Sequence, residues 1–313
     1  MSKFIKLDRF TIIVTLACDL DCKYCYRHSG KIPQVPRLSP LMIEYLRQLD
    51  PEKTQACVLS GGEPLLDWEL CRTIFDTLPK GTHKKIMTNG INFTDEIVDY
   101  VNKNNVEIWV SHDGDMTEFL RGYDVLRDPE TRSKIERIND LTFSCTCTSY
   151  NPDPWQCYQQ IKKIFNSRDF DFHSTAVYAE STCPELVKDF DYQAYQAGRL
   201  QCEIHGLGLT GSNNKPLHYR AGIGSTNLLP NGDIVGQYNC TAKYGTITDS
   251  KSTIIQNRNK LGDRSTCDNV DCEYLQIKGL CGKNPRDRTT HSCNIKKIHS
   301  NLRKRIEIHN DEI

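Results

Sequence analysis

The chain has 313 residues, enough to bury a full core, and its 40 basic and 40 acidic side chains cancel to a formal net charge of zero. No global field therefore calls for nucleic acid or an anionic membrane as partner. The mean hydropathy is −0.56, no apolar run approaches the ~20 residues of a membrane span, and Met1 to Arg9 lacks an export signal, so the expected location is cytoplasmic.

In chain order, the first 176 residues alternate short β-branched runs with longer amphipathic stretches. Strands are expected at residues 11–15, 56–60, 84–88, 106–110, 141–145 and 172–176. Helix starts lie between them. Ser39-Pro40 and Asp153-Pro154 each combine an N-cap with proline at the first helical position, Asp67 caps a segment through Leu78, and Thr94-Asp95-Glu96 opens another. Six strand–helix units imply a parallel sheet with helices outside. In a complete or partial barrel, functional residues sit at the C-terminal ends of the strands. An open doubly wound sheet fits the alternation equally, so periodicity does not choose between them.

Four unusual loops fall on that rim. Cys18, Cys22 and Cys25 follow the first strand, Gly61-Gly62-Glu63-Pro64 the second, Asn89-Gly90 the third, and Ser111-His112-Asp113-Gly114 the fourth. Beyond residue 205 the texture turns to Gly, Asn and Pro, and residues 228–235 read as a hairpin with Asn231-Gly232 at its turn. Two domains are expected, 1–204 and 205–313.

Fifteen cysteines is a large and odd number. In a long chain without an export signal, metal or cluster ligation explains the bunched ones better than a disulfide frame. The scattered ones, Cys57, Cys71, Cys145, Cys147, Cys157, Cys183 and Cys202, read as small buried hydrophobes. The C-x₃-C-x₂-C run is different. Three thiolates this close can share one small metal centre, whereas a closed cubane iron–sulfur cluster takes four protein ligands. Three leave one iron open, and open positions do chemistry.

The triad, the aromatic Tyr24 before its last cysteine, and the Gly-Gly-Glu-Pro run together resemble the radical S-adenosylmethionine (radical SAM) superfamily over about residues 10–176. The resemblance implies a partial (β/α)6 TIM-like barrel. It also implies a [4Fe–4S] cluster on Cys18, Cys22 and Cys25, with SAM chelating the fourth iron and giving a 5′-deoxyadenosyl radical on one-electron reduction. Tyr24 would pack beside the adenine, and Gly61, Gly62 and Glu63 would contact the methionyl amine. Asn89 and Ser111 fall where peptide-modifying members place SAM contacts, and Arg121 is a candidate for the SAM carboxylate. His112 stands where that subgroup more often carries an apolar residue.

The C-terminal segment resembles, less cleanly, the SPASM extension of peptide-maturing members, which carries seven cysteines for two auxiliary clusters. Two of those cysteines are missing. Cys267, Cys272, Cys281 and Cys293 remain, and the resemblance implies one auxiliary [4Fe–4S] cluster on them. Cys240 would replace one of them in the shortened "twitch" version, and zinc at the same four thiolates is the alternative metal. A Cys240 left over near the barrel mouth would serve as a catalytic hydrogen-atom donor.

The favoured expectation is a radical SAM enzyme that abstracts a hydrogen from a peptide and ends in a crosslink, an oxidation or an epimerisation. It would be served by an external one-electron reductant of flavodoxin or ferredoxin type. The alternatives are the same chemistry on a small molecule, as in twitch-bearing dehydrogenases, and a non-catalytic iron–sulfur or zinc module.

Overall fold

The computed structural model describes residues 5, 7, 9–25, 40–177, 183–207, 226–236, 242–250, 252–254 and 256–257. Six strands, β1 (Arg9–Thr15), β2 (Ala56–Gly61), β3 (His83–Thr88), β4 (Val106–Ser111), β5 (Leu141–Cys147) and β6 (Asp171–Ala176), pair in parallel in that order. All six expected strands are present. Three short strands, β7 (Thr226–Leu228), β8 (Asp233–Gly236) and β9 (Ala242–Thr246), extend the sheet beyond β1. β7 runs parallel to β1, while β8 and β9 are antiparallel additions. Asn231-Gly232 turns the chain between β7 and β8 with Gly232 at φ 85°, a conformation that glycine adopts without strain. The two outer strands of this nine-stranded sheet are β6 and β9, which do not pair with each other, so among the described residues the barrel is partial.

Helices α1 (Pro40–Leu46), α2 (Trp68–Thr77), α3 (Asp95–Lys103), α4 (Thr117–Arg121), α5 (Pro129–Glu136), α6 (Pro154–Ile164) and α7 (Tyr192–Ile204) fill the crossovers. Three of the four expected caps are in place, and Ser39 lies outside the described residues. Asp67 accepts from Leu70 N, Thr94 from Ile97 N, and Asp153 from Trp155 N and Gln156 N. Three helices were not foreseen: the short α4, α5 and α7. α5 buries little beyond Thr131 and Ile135, although Asp128-Pro129 repeats the cap–proline device. α7, capped by Asp191, ends at Ile204, and the expected domain boundary comes directly after it.

The strands alternate. Ile12, Val14, Cys57, Leu59, Ile86, Ile108, Val110, Phe143, Cys145 and Phe172 join α1, α2, α3, α5 and α6 in one apolar core. Six of the seven scattered cysteines are buried there; Cys183 is only half-buried and bonds Glu185.

The opposite, inner face is polar. Lys85 lies 3.1 Å from Glu107 and 3.8 Å from the centre of the Trp109 ring, while His173 stacks against Trp109 at 4.6 Å. His83 also bonds Glu107 at 2.7 Å, and the Trp109 indole N–H donates to it. Burial alone would raise the Glu107 carboxyl, but these partners hold it down at about 2.

That depression has a pH signature. A carboxyl whose pKa falls on folding contributes stability above its unfolded value of 4.5 and loses it as the pH drops toward 2. The contribution is on the order of 3 kcal/mol at neutral pH. Acid titration of urea stability from pH 6 to 2 should show this loss in the parent chain and a flatter limb in Glu107→Gln. Parallel acid limbs would show that Glu107 is not coupled to folding.

Candidate metal and cofactor site

The loop after β1 carries the three cysteines and has no regular structure of its own. Its fixed geometry comes from hydrogen bonds to the three loops beside it. The β2 loop zips onto its first residues: Gly62 N donates to Thr15 O and Glu63 N to Ala17 O, both at 2.8 Å. The two glycines permit that approach. A Cβ at Gly61 would lie 2.2 Å from Thr15 O, and one at Gly62 would lie 2.0 Å from Ala17 O. Their absent side chains thus serve backbone packing in the protein itself.

Glu63 is fully buried. Its Oε1 accepts from Leu65 N at 2.9 Å and from the Thr88 hydroxyl at 2.7 Å, and its Oε2 from Asn89 N at 2.7 Å. Burial pushes the carboxyl up to about 7 against the pull of those three donors. The carboxylate therefore ties the β2 loop to the β3 loop. Asn89 carries the tie onward. Its Nδ2 donates to Asp19 at 2.5 Å and lies 4.0 Å from the Cys18 sulfur, and Asn92 donates to the other Asp19 oxygen at 2.6 Å.

The far side of the loop is held by the segment after β4. Lys23 N donates to Leu120 O at 2.9 Å. The Tyr24 hydroxyl donates to Asp113 Oδ2 at 2.5 Å, and Arg121 forks onto the same carboxylate through Nε at 2.7 Å and Nη2 at 3.2 Å. Thr146 N supplies a fourth donor at 2.8 Å. Asp113 is fully buried and Arg121 is 8% exposed. Asp113 was quoted in the sequence only as part of a loop motif. The available signal was an acid eight residues before an arginine on a short helix.

His112 braces this segment from behind. It is fully buried, and its Nδ1 accepts the Gly114 N–H at 3.2 Å. That acceptor role places the ring proton on Nε2, which faces Asp124 Oδ1 at 2.9 Å. Burial acts to raise the Asp124 carboxyl, but the His112 contact and its own backbone bond hold it below the usual range.

Among the sequence-predicted SAM contacts, Tyr24, Gly61, Gly62, Glu63, Asn89 and Arg121 are thus gathered around the cysteine loop, and their polar atoms are largely engaged with one another. Ser111 differs. It is half-buried at the C-terminal end of β4, and its hydroxyl has no protein partner among the described residues. In register, Ser111 pairs with Ser144 and Ser144 with His173, a row across the inner face.

Cys22 is buried, Cys18 and Cys25 are half-buried, and none is in a disulfide. Burial pushes the Cys22 thiol up to about 11; Arg121 pulls it down, and the neighbouring Cys25, Asp113 and Cys18 push it further up. The Cys22 sulfur thus feels both of the other two. Among the described residues no three His, Cys, Asp or Glu side chains converge on a single-ion position. Three thiols on one loop match the donor set of an iron–sulfur cluster, in which each thiolate takes its own iron, whereas a closed zinc site needs a fourth ligand. Cys240, Cys267, Cys272, Cys281 and Cys293, and with them the expected auxiliary cluster, lie outside the described residues.

Three kinds of similarity accompany this geometry. Residues 12–165 match the family described as the radical SAM superfamily. The sporulation killing factor maturation protein SkfB of Bacillus subtilis (strain 168) is 30% identical over 105 residues, 33% of this chain and 26% of that protein. The match thus spans about a quarter of that curated relative. Among solved structures, anSMEcpe with bound AdoMet and Kp18Cys peptide has a TM-score of 0.71 at 15% identity, covering 97% of this chain and 99% of that chain. SuiB of Streptococcus suis bound to precursor peptide SuiA has a TM-score of 0.63 at 13% identity, covering 88% and 70%. At these identities the structures establish the fold: a partial, TIM-like parallel barrel. Residues 12–165, just under half of the chain, thus match the radical SAM superfamily, and the fold of the described residues agrees with that match.

Proposed function

We propose that the protein is a radical SAM enzyme that modifies a peptide. The observation that carries the reading is the three-thiol loop fixed on the C-terminal rim by the loops after β2, β3 and β4. Cys18, Cys22 and Cys25 would hold a [4Fe–4S] cluster. When bound with SAM, that cluster supplies the electron that releases a 5′-deoxyadenosyl radical, which removes a substrate hydrogen atom.

The chain's own residues would act around that centre. The backbone of Gly61 to Glu63, pinned to Thr15 and Ala17, would present the edge that meets the methionyl amine. Ser111, with its uncommitted hydroxyl, would bond SAM from the inner face, and Tyr24 would flank the adenine. Asn89 would hold the cysteine loop at Asp19 beside that ligand. The peptide assignment draws on SkfB, a maturation protein, and on the peptide-bound states of anSMEcpe and SuiB.

Residues 205–313 would form a second domain with one auxiliary cluster on Cys267, Cys272, Cys281 and Cys293, and Cys240 would donate hydrogen to the product radical. A flavodoxin- or ferredoxin-type protein would supply electrons. No helix of the described residues is long and apolar enough to cross a membrane.

Anaerobically reconstituted protein, reduced with dithionite and given SAM, should produce 5′-deoxyadenosine and contain about eight iron atoms per chain for two cubane clusters. No 5′-deoxyadenosine would end the enzymatic reading, and about four iron atoms would remove the auxiliary cluster. Ser111→Ala should weaken SAM binding about tenfold, the worth of one hydrogen bond, with iron content unchanged. Equilibrium dialysis with labelled SAM checks this, and unchanged affinity would take Ser111 out of the SAM site.

A further inference from the structure

We propose that Asp113 is a positioning residue for the cysteine loop, and that Arg121 is the counter-charge of Asp113 instead of a ligand of the SAM carboxylate. The inference rests on the radical SAM reading and concerns what holds its cluster site in shape. Between Cys22 and Cys25 the loop has two residues, and both are fixed by the segment after β4: Lys23 by Leu120 O and Tyr24 by Asp113. Asp113 receives four donors on two oxygens, from Tyr24, Arg121 twice and Thr146. A carboxylate with that set is saturated, so its position is determined by three separate elements at once.

The carboxylate also completes the sheet. His112 N still donates to Ser144 O at 2.9 Å, in line with the β4–β5 ladder. Two residues further along β5, Thr146 N meets the Asp113 side chain where a strand carbonyl would otherwise stand. The anchor of the cysteine loop is thereby set in the sheet itself, and the buried His112–Asp124 pair fixes the turn that presents it.

Charge explains the arginine. A lone buried carboxylate within reach of the Cys22 thiolate would repel it and would be costly to desolvate. The two-point fork from Arg121 cancels that charge, and the guanidinium lies 5.3 Å from the centre of the Tyr24 ring. Nε and one N–H of Nη2 are spent on Asp113, so the side-on fork of the guanidinium already holds a carboxylate.

The test uses the full-length reconstituted protein and the variants Tyr24→Phe, Asp113→Asn, Arg121→Met and the double variant Asp113→Asn/Arg121→Met. Three quantities are read: the rate of iron loss to a chelator, the electron paramagnetic resonance signal of the reduced cluster with and without SAM, and the SAM dissociation constant of the iron-loaded fraction.

Tyr24→Phe and Asp113→Asn should each speed loss of the SAM-responsive signal about tenfold, as expected for a charge-assisted hydrogen bond. Affinity for SAM in the loaded fraction of Asp113→Asn should stay within about threefold of the parent, since Asp113 is not among the SAM contacts. The double variant, which removes both charges, should retain its cluster better than Asp113→Asn alone.

Tyr24→Phe leaves the Asp113–Arg121 fork intact, so it decides the matter if Asp113→Asn fails to fold. Parental iron loss in Tyr24→Phe would overturn the positioning role. An Arg121→Met variant with parental iron retention and about tenfold weaker SAM binding would overturn the counter-charge role. If the parent itself shows no SAM-responsive signal, the radical SAM reading fails and takes this inference with it. A normal parent with unaffected variants defeats the inference alone.

Discussion

A loop that carries three thiols with three and two residues between them forms no helix or strand here, so its conformation must be imposed from outside. That constraint organises the rim of this protein. A flexible triad would sample many sulfur positions, and every cluster bound would have to offset that lost entropy. Here the loop is held at both ends and in the middle by the protein's own contacts: by Thr15 and Ala17 against the β2 loop, by Asp19 against Asn89 and Asn92, and by Lys23 and Tyr24 against the β4–α4 segment. Three consecutive strands each contribute one tie. The parallel sheet supplies their spacing of roughly 5 Å, which is why one loop can touch all of them.

Two buried carboxylates do most of this work, by different electrostatic means. Glu63 meets only neutral donors, so burial dominates and its carboxyl is pushed up to about 7. Asp113 meets a guanidinium as well as neutral donors, and its charge is cancelled where it lies. The difference suits their places. Glu63 joins the β2 and β3 loops through backbone and hydroxyl donors, whereas Asp113 sits within electrostatic reach of Cys22, where an uncompensated negative charge would oppose thiolate formation.

Much of this was legible in the sequence, and the limits have physical reasons. β-branched runs gave all six parallel strands, and Asp67, Thr94 and Asp153 gave helix starts, because strand packing and capping are local chemistry. The resemblance placed Gly61 and Gly62 at the methionyl amine; what the structure shows against both is the backbone at Thr15 and Ala17. That distinction depends on a crossover contact about 45 residues away in sequence, which no local pattern encodes. Asp113 escaped notice for the same reason: its partners Tyr24, Arg121 and Thr146 come from three different elements. Arg121 looked like a free cation because its counter-ion is visible only once α4 is folded back beneath the β4 loop. The reading of α5 failed on energetics instead, since a helix with two buried residues has almost no apolar periodicity to detect.

The choice between a doubly wound sheet and a partial barrel, open at the level of element order, was in fact written in the strands. A parallel sheet with helices on both faces buries both, and its strands read as nearly continuous apolar runs. β3 to β6 do not. Lys85 and Met87 alternate with Ile86, Glu107 and Trp109 with Ile108, Ser144 and Thr146 with Cys145, His173 and Thr175 with Ser174. Helices cover only the face that carries the apolar set. The other face keeps an ion pair, a stacked tryptophan and histidine, and a row of hydroxyls that ends at Ser111 on the rim. A surface of that composition is uneconomical as a second core, because each polar group would need a partner from any helix laid over it. As the lining of a lumen it needs none, since water or a bound molecule can satisfy it. The same alternation that selects the barrel therefore directs a polar inner wall toward the space beside the three thiols.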